Sequence, residues 1–147
     1  LALFLVGFGW AKPVPVNYAN LWPARLGRFC VALAGCATNI LIASLAILME
    51  QGSPARAHPI FSASLQIVAR INIMLGAFNL IPIPPLDGSK ILTSVLPDGA
   101  QRRLARLEPY GFVILILLLY TGSLDPLIAL MEYVIYSSIG FLFSLFR

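Results

Sequence analysis

The side chains best placed for chemistry lie in one short segment, FNLIPIPPLDGSKIL, at residues 78–92. Within it three prolines separate an amide, Asn79, from a carboxylate, Asp87. At membrane depth a proline-broken segment persists only where it is buried in protein or lines a watery cavity, and an ionisable residue there is a candidate for function. The plain alternative is that Asp87 caps a helix that starts near Gly88. We favour the functional interpretation.

The composition is that of a membrane protein. The chain has 147 residues, of which 59% are hydrophobic and only 11% charged, against about 25% charged residues in a typical soluble domain. Residues 29–49 contain no charge, and about 20 apolar residues suffice to cross a bilayer as a helix. We therefore predict an all-α, multi-pass transmembrane helix bundle with a proline-broken intramembrane segment. The predicted spans lie near residues 28–50 and 60–81, with one or two more within 110–146.

The whole chain, residues 1–147, is interpreted as a single membrane-embedded domain, since no internal repeat and no soluble domain is visible. Prolines indicate where its backbone leaves the helical conformation. Three of them lie in the segment WAKPVPVNYANLWP, and they predict extended backbone at residues 12–17. The prolines of the opening segment predict non-helical backbone at residues 82–86. A basic amphipathic stretch at residues 101–108 is expected to lie at the membrane interface.

The basic residues indicate how the chain is oriented in the membrane. Two crossings return the chain to its starting side, so the basic residues before the first span and after the second share one face. That face carries seven of the ten basic residues: Lys12, Arg25, Arg28, Lys90, Arg102, Arg103 and Arg106. By the positive-inside rule it is cytoplasmic. An excess of basic residues on one membrane face indicates how the chain is oriented, and it does not predict a nucleic-acid partner.

Three blocks of the sequence resemble one family. NLIPIPPLDG, residues 79–88, resembles the Asn-x-x-Pro…Leu-Asp-Gly signature of the site-2 proteases, which are intramembrane zinc metalloproteases. GWAKPVPVN, residues 9–17, and ALAGCATN, residues 32–39, resemble the two blocks that precede this signature in compact members without a PDZ domain. Cys36 stands where the family commonly has proline. The blocks occur in the family's order and span most of the chain.

The resemblance implies a role for each matching residue. Asp87 matches the aspartate that supplies the third protein ligand to a catalytic zinc ion, whose fourth position holds water. Asn79 matches an asparagine near the catalytic centre that contacts the substrate backbone or the developing oxyanion. Backbone around Pro82 is expected to meet an extended substrate. We interpret three further residues as structural, for helix packing, interhelical hydrogen bonding and the turn: Gly35, Asn39 and Gly88.

The family's other two ligands and its general base come from a His-Glu-x-x-His helix, and no such motif occurs here. The single histidine, His58, lies in the loop between the two predicted spans. We therefore expect the chain to be a C-terminal fragment of an enzyme that cleaves membrane-embedded or membrane-proximal proteins or peptides. The full-length protein would hold one zinc ion per site. The 147 residues alone are expected to bind no zinc and to be inactive.

Two other functions remain open from the sequence. The chain could belong to a non-catalytic relative of the site-2 proteases that binds membrane proteins. It could also be a small transporter in which the proline break and Asp87 form an ion site, although such transporters are built from repeats. The coding sequence upstream of Leu1 distinguishes the first alternative from the enzyme, because only the enzyme needs His-Glu-x-x-His.

Cysteine labelling tests the predicted orientation. In a background without the native Cys30 and Cys36, Arg103→Cys should react with an impermeant reagent only from the cytoplasmic side. Arg56→Cys, in the loop between the two spans, should react only from the opposite side. The reverse pattern would contradict the assignment of the basic face to the cytoplasm.

Overall fold

The computed structural model describes residues 23–52 and 58–145. Within these ranges the chain forms six α-helices and no β-strand, so the predicted all-α class is confirmed. The extended segment predicted at residues 12–17 lies outside the described residues. The helices are α1 (Ala24–Gly52), α2 (Pro59–Asn79), α3 (Asp87–Val95), α4 (Asp98–Leu107), α5 (Gly111–Tyr120) and α6 (Asp125–Leu145), with a 3₁₀ turn at Glu108–Tyr110.

Helices α1 and α2 form an antiparallel pair. Glu50, near the end of α1, accepts a hydrogen bond from Ser62 Oγ at 3.2 Å, near the start of α2. Further along, a Cβ atom at Gly76 of α2 would lie 3.7 Å from the Asn39 Cβ of α1. Small buried residues face one another along this pair, which lets two membrane helices approach closely. They are Ala32, Cys36, Ala43 and Ala46 in α1 and Ala69, Gly76 and Ala77 in α2.

Helix α6 completes the main core by packing on the α1–α2 pair. Ile135 and Ile139 of α6 are buried against Ala43 of α1 and against Ile73 and Ala77 of α2. All five side chains are at most 3% exposed. Aliphatic side chains from the third helix thus fill the space that the small residues of the first two leave open.

Two helices are long and apolar enough to cross a membrane, Arg25–Gln51 and Pro59–Asn79. A third span is formed if Asp98–Tyr120 and Asp125–Phe141, which meet at a bend of 92°, count as one crossing. Large apolar side chains are exposed on these helices, as expected for surfaces that face lipid. The membrane character predicted from composition is therefore confirmed.

The proline-broken segment is irregular, as predicted. Helix α2 ends at Asn79, because Pro82 lacks an N–H group and disfavours helical backbone at the residue before it. The backbone then turns, and Leu86 N–H donates to the Ile83 carbonyl at 2.9 Å across the cis Pro84–Pro85 peptide. No α-helix resumes before Asp87. The non-helical backbone predicted at residues 82–86 is confirmed.

Two glycines let neighbouring helices contact the backbone of the break directly. A Cβ atom at Gly88 would lie 2.2 Å from the Leu80 carbonyl oxygen and 2.4 Å from that of Ile81. One at Gly111, the first residue of α5, would lie 2.5 Å from the Pro84 carbonyl oxygen. The start of α3 and the start of α5 therefore both rest directly on the broken backbone.

Apolar side chains enclose the same segment. Ile81 and Leu86 from the break pack with Leu115 of α5 and with Leu124, just before α6. Each of these four side chains is at most 8% exposed. The break is thus partly buried in protein, with Pro82 and Pro85 exposed. Burial of this kind lets irregular backbone be tolerated at membrane depth.

Substitution of Gly88 tests how tightly the break is packed. Gly88→Ala should destabilise the protein by roughly 1–3 kcal/mol or more, because the added methyl group meets two rigid carbonyl groups. Gly99→Ala is the matched control, since no atom lies within 4 Å of a Cβ there and alanine favours helix. Thermal unfolding in detergent compares the two. Equal melting temperatures for the two variants would show that the approach of α3 to the break is loose.

Candidate functional site

Asp87 is the first residue of α3 and does not act as its cap. The N-cap position belongs to Leu86, and the structure shows no side-chain hydrogen bond capping this helix. A carboxylate in the first turn is favoured by the helix dipole. The interpretation of Asp87 as a helix cap is therefore not supported, and its carboxylate oxygens make their contacts elsewhere.

The two carboxylate oxygens of Asp87 face different neighbours. Oδ1 accepts a hydrogen bond from Lys90 Nζ at 2.9 Å, one turn along α3. Oδ2 points to α1, where it would lie 3.3 Å from a Cβ atom at Gly35. Because Gly35 has no side chain, the carboxylate reaches the backbone of α1. The Asp87 side chain is 29% exposed, so this position stays accessible.

Lys90 is a residue whose contact with Asp87 the sequence analysis missed, since it used Lys90 only to assign orientation. The signal was the spacing of three residues in a helix that starts directly after the proline break. With the lysine side chain 41% exposed, the pair adds little to stability. Its effect is geometric, because Lys90 holds one carboxylate oxygen and leaves the other directed at α1.

The structure brings Asn79 and Asp87 to the same region. Asn79 is the last residue of α2 and is half-buried. The backbone of Gly88 rests on the carbonyl groups of Leu80 and Ile81, so the neighbours of these residues, Asn79 and Asp87, are drawn together. Pro82 follows this contact and is exposed. The predicted catalytic and substrate-binding residues therefore surround the break.

Gly35 and Asn39 lie one turn apart on α1 and face this region together. Gly35 is beside the Asp87 carboxylate, and Asn39 is beside Gly76, one turn before the end of α2. The helix-packing role of Gly35 and Asn39 stays a prediction. Within the described ranges the Asn39 side chain forms no hydrogen bond to another helix, so the structure provides packing here without that bond.

The described residues do not assemble a complete metal site around Asp87. Across the part of the chain that the structure describes, no group of three histidine, cysteine or acidic side chains could hold a metal ion. His58 precedes α2 and is exposed. The 21 residues of α2 separate it from the break by about 30 Å, at roughly 1.5 Å per residue. The histidine and the aspartate therefore belong to opposite ends of the molecule.

A family model, that of Peptidase family M50, matches residues 46–121, which is more than half of the chain. The chain belongs to peptidase family M50. The matched range contains Asn79, the proline break and Asp87, while Gly35 and Asn39 precede it. The resemblance to the site-2 proteases seen in the sequence is confirmed.

Curated M50 relatives share sequence along most of the chain. "Putative zinc metalloprotease YwhC" of Bacillus subtilis is 31% identical over 128 residues, which are 82% of this chain and 58% of the relative. "Putative zinc metalloprotease Rip2" of Mycolicibacterium smegmatis is 32% identical over 104 residues, 71% of this chain and 40% of the relative. The chain spans about half the length of these relatives. No solved structure matches it significantly.

Proposed function

We propose that the chain is part of an intramembrane zinc metalloprotease that hydrolyses peptide bonds of membrane-embedded or membrane-proximal substrates. In this proposal Asp87 is the third protein ligand to zinc. One observation carries it: in a chain of the M50 family, the Asp87 carboxylate lies at a partly buried break between helices, with one oxygen bound to Lys90 and the other directed at Gly35. The names of the relatives agree with the metal and the reaction.

The number of zinc ligands that a catalytic site needs indicates what other residues of the proposed enzyme would provide. A catalytic zinc site takes three protein ligands and keeps a fourth position for water. Asp87 supplies one ligand, and His58 is too distant to be a second. We therefore propose that two histidines and a glutamate base come from further residues of the full-length protein. The 147 residues alone would then retain no zinc and cleave nothing.

When bound, the metal would lower the pKa of its water and so generate the nucleophile at neutral pH. Two of the described residues would shape the position of the metal. Lys90 orients the Asp87 carboxylate, as hydrogen-bonding partners of metal ligands generally do. Gly35 leaves room beside Oδ2, because any side chain at that position would approach the carboxylate.

The substrate would lie along the broken segment. Irregular backbone at residues 80–86 offers an extended peptide more hydrogen-bonding partners than a helix does, since helical groups are already paired. Asn79, at the end of α2, would donate its amide N–H to the oxygen that becomes negatively charged during hydrolysis. Exposed Pro82 would contact the same peptide.

The proposed site lies at the basic end of the bundle, which we assign to the cytoplasmic side. Arg25 at the start of α1 pairs with Asp98 at the start of α4. This contact brings the beginning of the first span beside the region that follows the break, as two crossings require. The bond cleaved would then lie near the cytoplasmic surface of the membrane.

Replacement of the proposed ligand tests the metal site in the full-length protein. Asp87→Ala should abolish both zinc retention and proteolysis, because a site with two remaining ligands rarely holds a catalytic metal. Asp125→Ala is the matched control, since Asp125 also begins a helix but lies outside the site. Metal analysis of the purified protein and cleavage of a membrane substrate measure the effects. Full zinc content and activity in Asp87→Ala would refute the proposal.

Replacement of Asn79 separates substrate chemistry from metal binding. Asn79→Ala should keep its zinc and lower turnover by about 10²- to 10³-fold, the usual effect of losing one oxyanion donor. Zinc content and turnover are measured on the same sample. Loss of zinc in Asn79→Ala would assign the residue to the metal site instead. Unchanged turnover would remove it from the mechanism.

A further inference from the structure

A cavity of about 320 Å³ lies beside the break, between α1, α3 and α4. Its charged lining residues are Arg28 of α1, Lys90 of α3, Arg102 of α4 and Glu108. Asp87 does not line it, but its hydrogen-bonding partner Lys90 does, so the cavity adjoins the proposed metal position. Arg102 and Glu108 are exposed residues, which means that the cavity opens to the surface. Its volume is within the range of small-ligand sites.

Arg28, one of the lining residues, carries a buried hydrogen-bond donor. Its Nε atom is buried and has no partner among the described residues. A buried donor without an acceptor is rare and costs about 1–3 kcal/mol, more when the group is charged. The arginine therefore needs an acceptor that the described chain does not provide.

The neutral donors that line the cavity are already used within the protein. Ser89 Oγ donates to the Leu86 carbonyl at 2.7 Å, and Thr93 Oγ1 donates to that of Lys90 at 3.0 Å. Gln101 Nε2 donates to the Thr93 carbonyl at 2.6 Å. The guanidinium groups therefore remain to bind a ligand, and they favour one that only accepts hydrogen bonds.

The charge of the lining selects an anion. Lys90 is paired with Asp87, and Glu108 offsets one of the two arginines. Neither Arg28 nor Arg102 forms an ion pair within the described ranges. Guanidinium groups bind phosphate oxygens with two hydrogen bonds each, which makes arginine the preferred partner for that group. A phosphate group matches both the donors and the charge.

The position of the cavity identifies the source of the phosphate. Arg28 lies three residues into the membrane-spanning stretch Arg25–Gln51, which places it near the level of the lipid headgroups. The opposite wall is α4, an amphipathic helix with Arg102, Arg103 and Arg106. Basic pockets between membrane helices at this level bind anionic headgroups.

We propose that this cavity binds the phosphate group of an anionic lipid headgroup, held by Arg28 and Arg102. Since α3 contributes both the cavity wall and Asp87, the bound lipid stabilises the placement of α3 between α1 and α4. The proposal does not depend on zinc or on proteolysis.

The test is a titration of the purified full-length protein in a neutral detergent with dioctanoyl phosphatidylglycerol, followed by thermal unfolding. The lipid should raise the melting temperature saturably, because a ligand that binds the folded state stabilises it. Dioctanoyl phosphatidylcholine carries the same phosphate together with a choline cation, which the net positive lining repels, so it should not. Arg102→Gln and Arg28→Gln should each weaken apparent binding by about fivefold or more, the usual contribution of one basic residue near anionic lipid.

Arg103→Gln is the matched control. It removes the same charge from the same helix but does not line the cavity, so its apparent affinity should stay within about twofold of the unmodified chain. Equal weakening in Arg103→Gln and Arg102→Gln would overturn the site in favour of diffuse attraction. Saturation by phosphatidylcholine at the same concentrations would overturn the selectivity for an anion. Equal stabilisation by inorganic phosphate alone would overturn the assignment to a lipid. Because Arg102 is exposed, its variant decides the test even if Arg28→Gln fails to fold.

Discussion

The contact of the Gly88 backbone with the carbonyl groups of Leu80 and Ile81 is the constraint on which the rest of the structure depends. It joins the end of one membrane helix to the start of a short helix across a stretch that cannot itself be helical. With no side chain at Gly88, the two backbones meet at a distance that any Cβ would prevent. Gly111 repeats this arrangement on Pro84, so the broken segment is clamped from both sides.

The geometry of the candidate site follows from these glycine contacts. Asp87 precedes Gly88, and it therefore emerges at the break with its carboxylate between Lys90 and Gly35. A carboxylate in this position has its orientation set by three elements, α1, the break and α3. Such support from neighbouring groups is what a metal ligand requires, because its geometry must exist before the metal binds. In the proposed enzyme Asp87 would be one of three protein ligands.

Two arginines at the same end of the bundle differ in their hydrogen-bonding partners. Arg25 is paired with Asp98 and ties α1 to α4, whereas Arg28, one turn later, has a buried donor without a partner. The sequence shows both simply as basic residues before a span. Their surroundings become distinct only when α3 and α4 fold back against the start of α1 and create a cavity there.

The sequence by itself determined the all-α membrane class, the place of the break and the identity of Asn79 and Asp87 as candidates. The class and the break follow from local rules, since apolar length decides a span and proline removes the helical hydrogen bond. The roles of Asn79 and Asp87 are what the family resemblance implies. Only the tertiary structure decided that Gly35 is a neighbour of Asp87 and that Arg28 and Arg102 share a cavity. Those facts depend on how closely helices far apart in the chain approach one another, and no local rule of the sequence determines that distance.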